Sequence, residues 1–562
     1  AGGPLGARDR MVVLAIDNSF SMRQGSRLDR AKREAASVLS SLKPKDAAQV
    51  LAFSSAVAVM NEPASDLPTI RAAIEAIAPG DGRGSFAELA RALRSIAQSA
   101  RMPVEAHVFS DMQKTSWPPS FADARLADGV RLVTHAIADK RLPNFAVETT
   151  TAPRRVYDPK KVRIQATIAS FGGERATRRV ALLLNGKEIA SKSVDLSPGG
   201  RASAEFLTLD APYGPSRGEI RIEPADDFPD DDRFLFSVER SDPRKILFLQ
   251  DARQSRALLY FRTALDASGD AAFTVDTVPV EQAASLPLAN YAFVVLSDVS
   301  PPAGLEEALR KYAIAGGSLW IALGRQASGR NKVPVFDEAI SATRYDSRDG
   351  ERFRTVASVD PAHPSIRRAN QWEGVKFYWS VRVEPGKSKV PARLTDDSPV
   401  LLEKQIGEGR VLVFASTLDN ISNDFPLHAS FVPFVAETAR YLGRIEEQTG
   451  GYSVGSHYEL RTSRERGTAI EVLDPSGKRA LTLEEAAKAE TLALGARGYY
   501  DIRRPSGRHE LVAVNPDRRE SDFELLPAET LALWQNTGQG ATASPGLPGE
   551  AEKPPVSFWW YL

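Results

Sequence analysis

Apolar residues run without a break from Met11 to Ile16 and stop at Asp17. An unbroken run, as opposed to an alternating one, predicts a strand buried on both faces. Leu28, Ala31, Ala35, Val38, Leu39 and Leu42 then recur at helical spacing, and Pro44 ends that helix. Residues 49–53 and 56–60 predict two more strands, joined across Ser54-Ser55. Helices over 67–78 and 86–100, the latter opened by Ser85, precede strands over 105–109 and 130–137. The order β-α-β-β-α-α-β-α-β predicts a doubly wound α/β sheet.

The pattern then changes character. Between 144 and 240 it becomes short alternating segments such as VRIQATIAS, GEIRIE and RFLFSVE, with an Asn185-Gly186 hairpin turn. Strands at such spacing predict a β-sandwich. Its acidic run, Asp226 to Asp232, lacks the alternating ligands and closing Glu of an EF-hand loop and reads as a solvated turn, with Ca²⁺ as the alternative. From Arg244 the code returns to buried strands (245–250, 291–299, 318–324, 411–416) and helices (255–265, 305–317, 431–443), predicting a second open α/β domain over 244–445. Residues 451–526 alternate again and predict a smaller C-terminal β-sandwich, ending in a helix over 528–535. The Gly/Pro-rich stretch 538–555 is a linker running into VSFWWYL. Those aromatics suit the interfacial start of a transmembrane helix, or alternatively a segment docked on a domain surface.

Composition narrows the classes. A chain of 562 residues exceeds what one core supports, so it holds several domains. Lys plus Arg equals Asp plus Glu at 72 each, which argues against nucleic-acid or anionic-membrane binding by bulk charge. The absence of cysteine removes disulfides, thiolate metal sites and Cys nucleophiles together, without identifying a compartment. No Met or signal peptide opens the chain at Ala1, as expected of an excised fragment or mature form.

The chemistry concentrates after the first strand. Asp17, Ser19 and Ser21 offer a carboxylate and two hydroxyls in the loop at a strand's C-terminal end, where α/β sheets bind ligands. Hard oxygens suit Mg²⁺ or Mn²⁺. The plain alternative is that they cap the following helix. D-x-S-x-S in this setting resembles the metal-ion-dependent adhesion site (MIDAS) of the von Willebrand factor A (vWA) domain, over residues 9–142. The resemblance implies metal ligation by Ser19, Ser21 and Ser85, with Asp17 and Asp111 acting directly or through water. Ser85 stands where the family offers Thr; Asp111 follows its strand as the third loop requires.

The later segments resemble known modules by pattern. Residues 144–240 resemble an immunoglobulin-type (Ig-like) module, and 244–445 a class I glutamine-amidotransferase-like, flavodoxin-like domain. Active amidotransferases use Cys, His and Glu. Here no Cys exists, Ser318 precedes its strand and makes no G-x-S-x-G elbow, and His363 and His428 have no nucleophile to serve. That domain is therefore expected to be catalytically silent, with His363 serving a turn.

The whole arrangement resembles the bacterial aerotolerance-type (Bat) membrane proteins. The resemblance implies an inner-membrane anchor, a periplasmic position for these residues and a MoxR-type ATPase system as a partner. The expected function is a metal-dependent protein-binding scaffold of the cell envelope, ligating an acidic residue of a partner. The alternatives are a hydrolase or amidotransferase acting through 244–445 without Cys, and a purely structural envelope component.

Overall fold

The computed structural model describes residues 10–345, 352–445, 451–461 and 469–538. The first unit runs β1 (Met11–Asp17), α1 (Arg27–Val38), β2 (Ala47–Phe53), β3 (Val57–Val59), α2 (Leu67–Glu75), α3 (Phe86–Ser99), β4 (Val104–Ser110), α4 (Phe121–Ala124) and β5 (Val130–Ala136). Its sheet has the order β3-β2-β1-β4-β5. All neighbours are parallel except β3, which turns back against β2. The continuous apolar run of β1 has a direct cause. Val12, Leu14 and Ile16 pack with Leu28, Ala31 and Ile70 on the α1/α2 side. Met11, Val13 and Ala15 pack with Phe86, Leu89 and Leu93 on the α3 side. Successive side chains point to opposite faces, and both faces are covered.

The second unit contains β6 (Asn144–Thr151), β7 (Arg155–Val156), β8 (Ile164–Phe171), β9 (Ala176–Leu184), β10 (Lys187–Leu196), β11 (Arg201–Phe206), β12 (Gly214–Glu223) and β13 (Arg233–Arg240). A five-stranded sheet, β10-β9-β12-β13-β7, and a three-stranded one, β11-β8-β6, enclose one apolar core. Asn185 and Gly186 both have positive φ, at 49° and 82°, the geometry a two-residue hairpin turn needs.

The third unit is a mixed α/β sheet. Its strands are β14 (Arg244–Gln250), β15 (Phe273–Pro279), β16 (Phe293–Ser297), β17 (Leu319–Ala322), β18 (Ile340–Tyr345), β19 (Val356–Val359), β20 (Trp379–Val383), β21 (Lys389–Leu394), β22 (Pro399–Ile406) and β23 (Gly409–Phe414). Its helices are α5 (Arg256–Ala267), α6 (Ala303–Ile314) and α7 (Phe431–Leu442). Eight strands follow the order β15-β14-β16-β17-β23-β22-β21-β19, parallel from β15 to β23 and antiparallel beyond. Apolar clusters fill both faces, and β18 pairs with β20 in a separate ribbon.

The fourth unit has β24 (Tyr452–Ser453), β25 (His457–Glu459), β26 (Glu471–Leu473), α8 (Leu483–Lys488), β27 (Thr491–Ala493), β28 (Gly498–Arg503) and β29 (His509–Asn515). Its strands form the sheet β24-β29-β28-β26 and the pair β25-β27 around a small core.

The chain then leaves this unit at Asn515 and returns to the first. Leu525 bridges Gln113. Helix α9 (Ala528–Asn536) inserts Trp534 into the core beside α3. The expected terminal helix thus exists, but it seals the first unit and does not close the last sandwich. The reason is Trp534: its ring packs on Phe86 and Trp117 at 5.0 and 5.5 Å, and its Nε1 donates to the Ala124 carbonyl at 2.7 Å. Among the described residues no helix is long and apolar enough to cross a membrane. The linker and aromatic end expected over 538–562 lie, from residue 539, outside the described residues.

Candidate functional site

Three loops meet: loop 1 after β1, loop 2 between α2 and α3, and loop 3 after β4. Loop 1 follows β1 and carries Ser19 and Ser21. It is pinned by loop 2, in which the Gly80 amide donates to the Asn18 carbonyl and Gly82 accepts from the Phe20 amide, both at 2.9 Å. A Cβ at Gly80 would stand 2.4 Å from the Asn18 carbonyl oxygen, so only glycine permits this approach. Loop 3 follows β4 and holds Asp111; the next residue, Met112, adopts a left-handed φ of 54°.

The structure brings Asp17, Ser19, Ser21 and Asp111 together, all 0% exposed. Asp17 is oriented on both sides: Oδ1 accepts from the Ser19 amide at 2.8 Å and Oδ2 from the Ser110 hydroxyl at 2.5 Å. The Ser19 and Ser21 hydroxyls stand 3.3 Å apart. Asp111 Oδ2 accepts from Arg27 Nη1 at 2.8 Å. Asp111 Oδ1 makes no hydrogen bond of ordinary geometry. Ser85 is half-buried at the head of α3, and its hydroxyl accepts from the Glu88 amide at 3.3 Å, as a helix N-cap does.

One further carboxylate enters from far along the chain. Glu520, also 0% exposed, lies in the turn that leads from β29 to α9. Its Oε2 accepts from the Ser21 amide at 3.0 Å and its Oε1 from the Gly84 amide at 2.9 Å. A Cβ at Gly84 would fall 2.3 Å from Ser116 Oγ. Nothing local in RRESDFELL marks Glu520, and Arg27 reads in the sequence as part of a polar helix face.

The electrostatics follow from burial and like charge. Burial, then Asp111, pushes Asp17 up to about 8. Burial, then Asp111, pushes Glu520 up to about 7. Burial also raises Asp111, against the pull of Arg27. Three buried carboxylates thus face one guanidinium, a charge balance that a divalent cation would correct. Hard oxygen donors and the unpartnered Asp111 Oδ1 fit Mg²⁺ or Mn²⁺.

The site is roofed by other units. Phe20 of loop 1 packs on Phe228 at 5.0 Å, and Phe228 on Phe523 at 5.4 Å. The Arg27 guanidinium lies 4.6 Å from the centre of the Phe523 ring. Asn144 Nδ2 donates to the Ser521 carbonyl at 2.9 Å, and Arg141 pairs with Asp522 at 2.8 Å.

The acidic run beside this roof is not a solvated turn. Asp231 and Asp232 are buried, and one oxygen each of Asp226, Asp231 and Asp232 lie within 4.8 Å of one another. Asp227 remains exposed, so only part of the run is buried. Asn144 Nδ2 donates to Asp231 Oδ2 at 2.6 Å, and Asp226 Oδ2 accepts from the Phe145 amide at 2.9 Å. Arg518 supplies opposing charge to Asp231 and Asp232. Burial, then Asp226, raises Asp232 to about 7.

In the third unit, His363 sits in a turn as expected, its Nδ1 accepting from the Ser365 amide at 3.2 Å. Its Nε2 lies 2.9 Å from Glu403 Oε2. His428 Nε2 is 3.1 Å from Asp424.

Residues 12–113 match the von Willebrand factor type A domain family. Residues 145–235 match a domain family of unknown function, DUF7407. No curated protein matches the chain. Among solved structures, a cytoplasmic protein of Salmonella typhimurium is 12% identical, with 35% of this chain and 98% of that one covered and a TM-score of 0.27. BatB of Bacteroides thetaiotaomicron is 19% identical over 22% of this chain and 65% of that one, with a TM-score of 0.19. An aerotolerance-related membrane protein from Bacteroides fragilis is 17% identical over 22% of this chain and 66% of that one, with a TM-score of 0.18. Likenesses of this size carry nothing about function.

Proposed function

We propose that this chain is a metal-dependent protein-binding scaffold of the bacterial cell envelope. Its vWA domain would hold Mg²⁺ or Mn²⁺ through Asp17, Ser19, Ser21, Ser85 and Asp111. One observation carries the reading: buried oxygen donors from separate loops converge, and Asp111 Oδ1 is left without a partner. When bound, the ion supplies a Lewis-acidic centre that a carboxylate can ligate. The chain's own residues prepare that centre. The Ser19 amide and Ser110 hydroxyl fix the Asp17 carboxylate, and Arg27 holds one oxygen of Asp111. The partner is expected to offer an exposed acidic side chain.

The other units are read as spacers, 144–240 as an Ig-like module and 244–445 as an amidotransferase-like domain without catalysis. Both ring nitrogens of His363 are engaged, by Glu403 and the Ser365 amide, which leaves neither to activate a hydroxyl. Glutamine hydrolysis above a heat-killed control, lost on mutation within 244–445, would refute this part.

Calorimetry with Mg²⁺ or Mn²⁺ tests the metal site. One equivalent should bind, and Asp17→Asn should abolish binding while leaving the fold intact by circular dichroism. Binding unchanged in Asp17→Asn would sink the assignment.

A further inference from the structure

Glu520 stands 499 residues beyond Ser21, yet its two oxygens are shared between the metal loops, one on the loop 1 amide of Ser21 and one on the loop 2 amide of Gly84. It is an acid delivered from outside the domain into a buried pocket that already contains Asp17 and Asp111. Arg27, the guanidinium buried among these carboxylates, is committed to Asp111 Oδ2. Bringing a further carboxylate into such a place is unfavourable unless a cation joins it. The unpartnered Asp111 Oδ1 faces the same need.

We infer that Glu520 is the chain's own carboxylate ligand to the divalent ion, so that residues 516–526 close the metal site in cis and an outside carboxylate must displace them. The inference rests on the metal-binding reading above and adds its regulation.

The segment is built to hold and to release. Its turn is fixed by Asp517, whose side chain accepts from the Arg519 amide. Phe523 caps the aromatic stack on Phe228. Two of its side-chain ties are shallow. Arg141 to Asp522 and Lys114 to Glu524 are ion pairs with 45% and 56% of their basic side chains exposed. Pairs of that kind contribute little in water. Glu520 is thus one buried polar anchor of the segment, beside the Ser521 carbonyl on Asn144 and Arg518 against Asp231 and Asp232, and it is the one whose hold depends on what sits between the metal loops. With the ion present, the carboxylate held on the Ser21 and Gly84 amides gains an opposite charge beside it.

The test uses the full chain and the shape-preserving variant Glu520→Gln. Mn²⁺ affinity is measured by electron paramagnetic resonance, and amide exchange of 517–526 by mass spectrometry with Mg²⁺ or EDTA. A labelled glycine peptide with one central Glu serves as the carboxylate probe. In the parent chain Mg²⁺ should slow exchange at 517–526 at least tenfold. Glu520→Gln should bind Mn²⁺ at least tenfold more weakly, lose the Mg²⁺ effect on exchange, and bind the peptide only with Mg²⁺ present. The parent should bind the peptide measurably less. Equal Mn²⁺ affinity in both chains, with exchange at 517–526 indifferent to Mg²⁺, would overturn the inference and leave the metal site standing. No Mn²⁺ binding by either chain would overturn the metal reading, and this inference with it. Exchange in β1 and β4 reports whether the variant is folded. If it is not, the Mg²⁺ dependence in the parent chain decides alone.

Discussion

Arg27 and Asp111 form an ion pair sealed inside the first domain, Nη1 to Oδ2 at 2.8 Å, with the side chains 7% and 1% exposed. The pair divides the work of the carboxylate. Oδ2 is spent on the guanidinium, while Oδ1 is kept without a hydrogen bond. Arg27 also donates to the Ser21 carbonyl at 3.3 Å, so the same cation ties loop 3 to loop 1.

Removing that cation should therefore be costly. Breaking one side of a buried pair leaves an uncompensated charge and typically costs about 3–5 kcal/mol. Arg27→Met should lose stability of that order in urea with EDTA present. Part of the loss should return with Mg²⁺, which would supply the missing positive charge. An Arg27→Met chain as stable as the parent in EDTA would show that Asp111 is not held ionised by this pair.

Ser85 separates two roles that one hydroxyl can play. Its oxygen caps α3 through the Glu88 amide. Ser85→Ala should cost about 1 kcal/mol, as loss of an N-cap does. Ser85→Asn should restore the cap, because Asn caps as well as Ser. If Ser85 also ligates the ion, Ser85→Asn will recover thermal stability in EDTA without recovering Mn²⁺ affinity. Recovery of both together would reduce Ser85 to a cap.

Much of the first domain was legible because its signals are local. The unbroken run from Met11 to Ile16, the 3.6-residue spacing after Arg27 and the stop at Asp17 all lie within a few turns of chain. The order of elements followed from them, while the grouping of Asp17, Ser19, Ser21 and Asp111 came from the resemblance to the vWA metal site. Glu520 was not legible. Its role depends on the chain returning across a gap of 499 residues, and the arginines beside it give the segment the look of a solvated turn. The acidic run failed for the same reason. Asp231 and Asp232 read as exposed until Asn144 and Arg518, from distant parts of the chain, are seen beside them. Strand β15 escaped notice because its residues are only half-buried and carry Asp276 and two threonines, which blur the apolar run.

The buried acids Asp231 and Asp232 make stability depend on pH. Asp232 is raised from an ordinary 3.8 to about 7, first by burial and then by Asp226. Asp231 is raised as well, by burial. In the unfolded chain these groups ionise near pH 4. Between pH 4 and 7 the folded state therefore binds more protons than the unfolded one. Stability must fall as pH rises through that window. Asp232→Asn should flatten the slope of thermal midpoint against pH between 5 and 7. A slope unaltered by the substitution would place the titration elsewhere. If Ca²⁺ removes the slope in the parent but not in Asp232→Asn, the cluster is a cation site.

The last prediction concerns what holds the C-terminal segment in place. Trp534 is fully buried among Phe86 and Trp117, and Gln535 Nε2 donates to Thr134 Oγ1 at 2.5 Å. Trp534→Ala opens a large cavity and strips the Ala124 carbonyl of its donor, a loss of about 3–5 kcal/mol by analogy with other buried aromatic truncations. That anchor lies well along the chain from Glu520, so the returning chain is held by attachments of different kinds, Trp534 apolar and Glu520 ionic among them. In Trp534→Ala the apolar anchor is gone and α9 should exchange freely. With Mg²⁺ present, residues 517–526 should stay protected, held through Glu520. With EDTA present, both stretches should open together. In the parent chain EDTA alone should loosen 517–526 while leaving α9 protected. Protection of 517–526 that survives Trp534→Ala and EDTA combined would mean that neither attachment governs the segment, and that the Phe523 stack and the Ser521 bond to Asn144 hold it without help from the metal site.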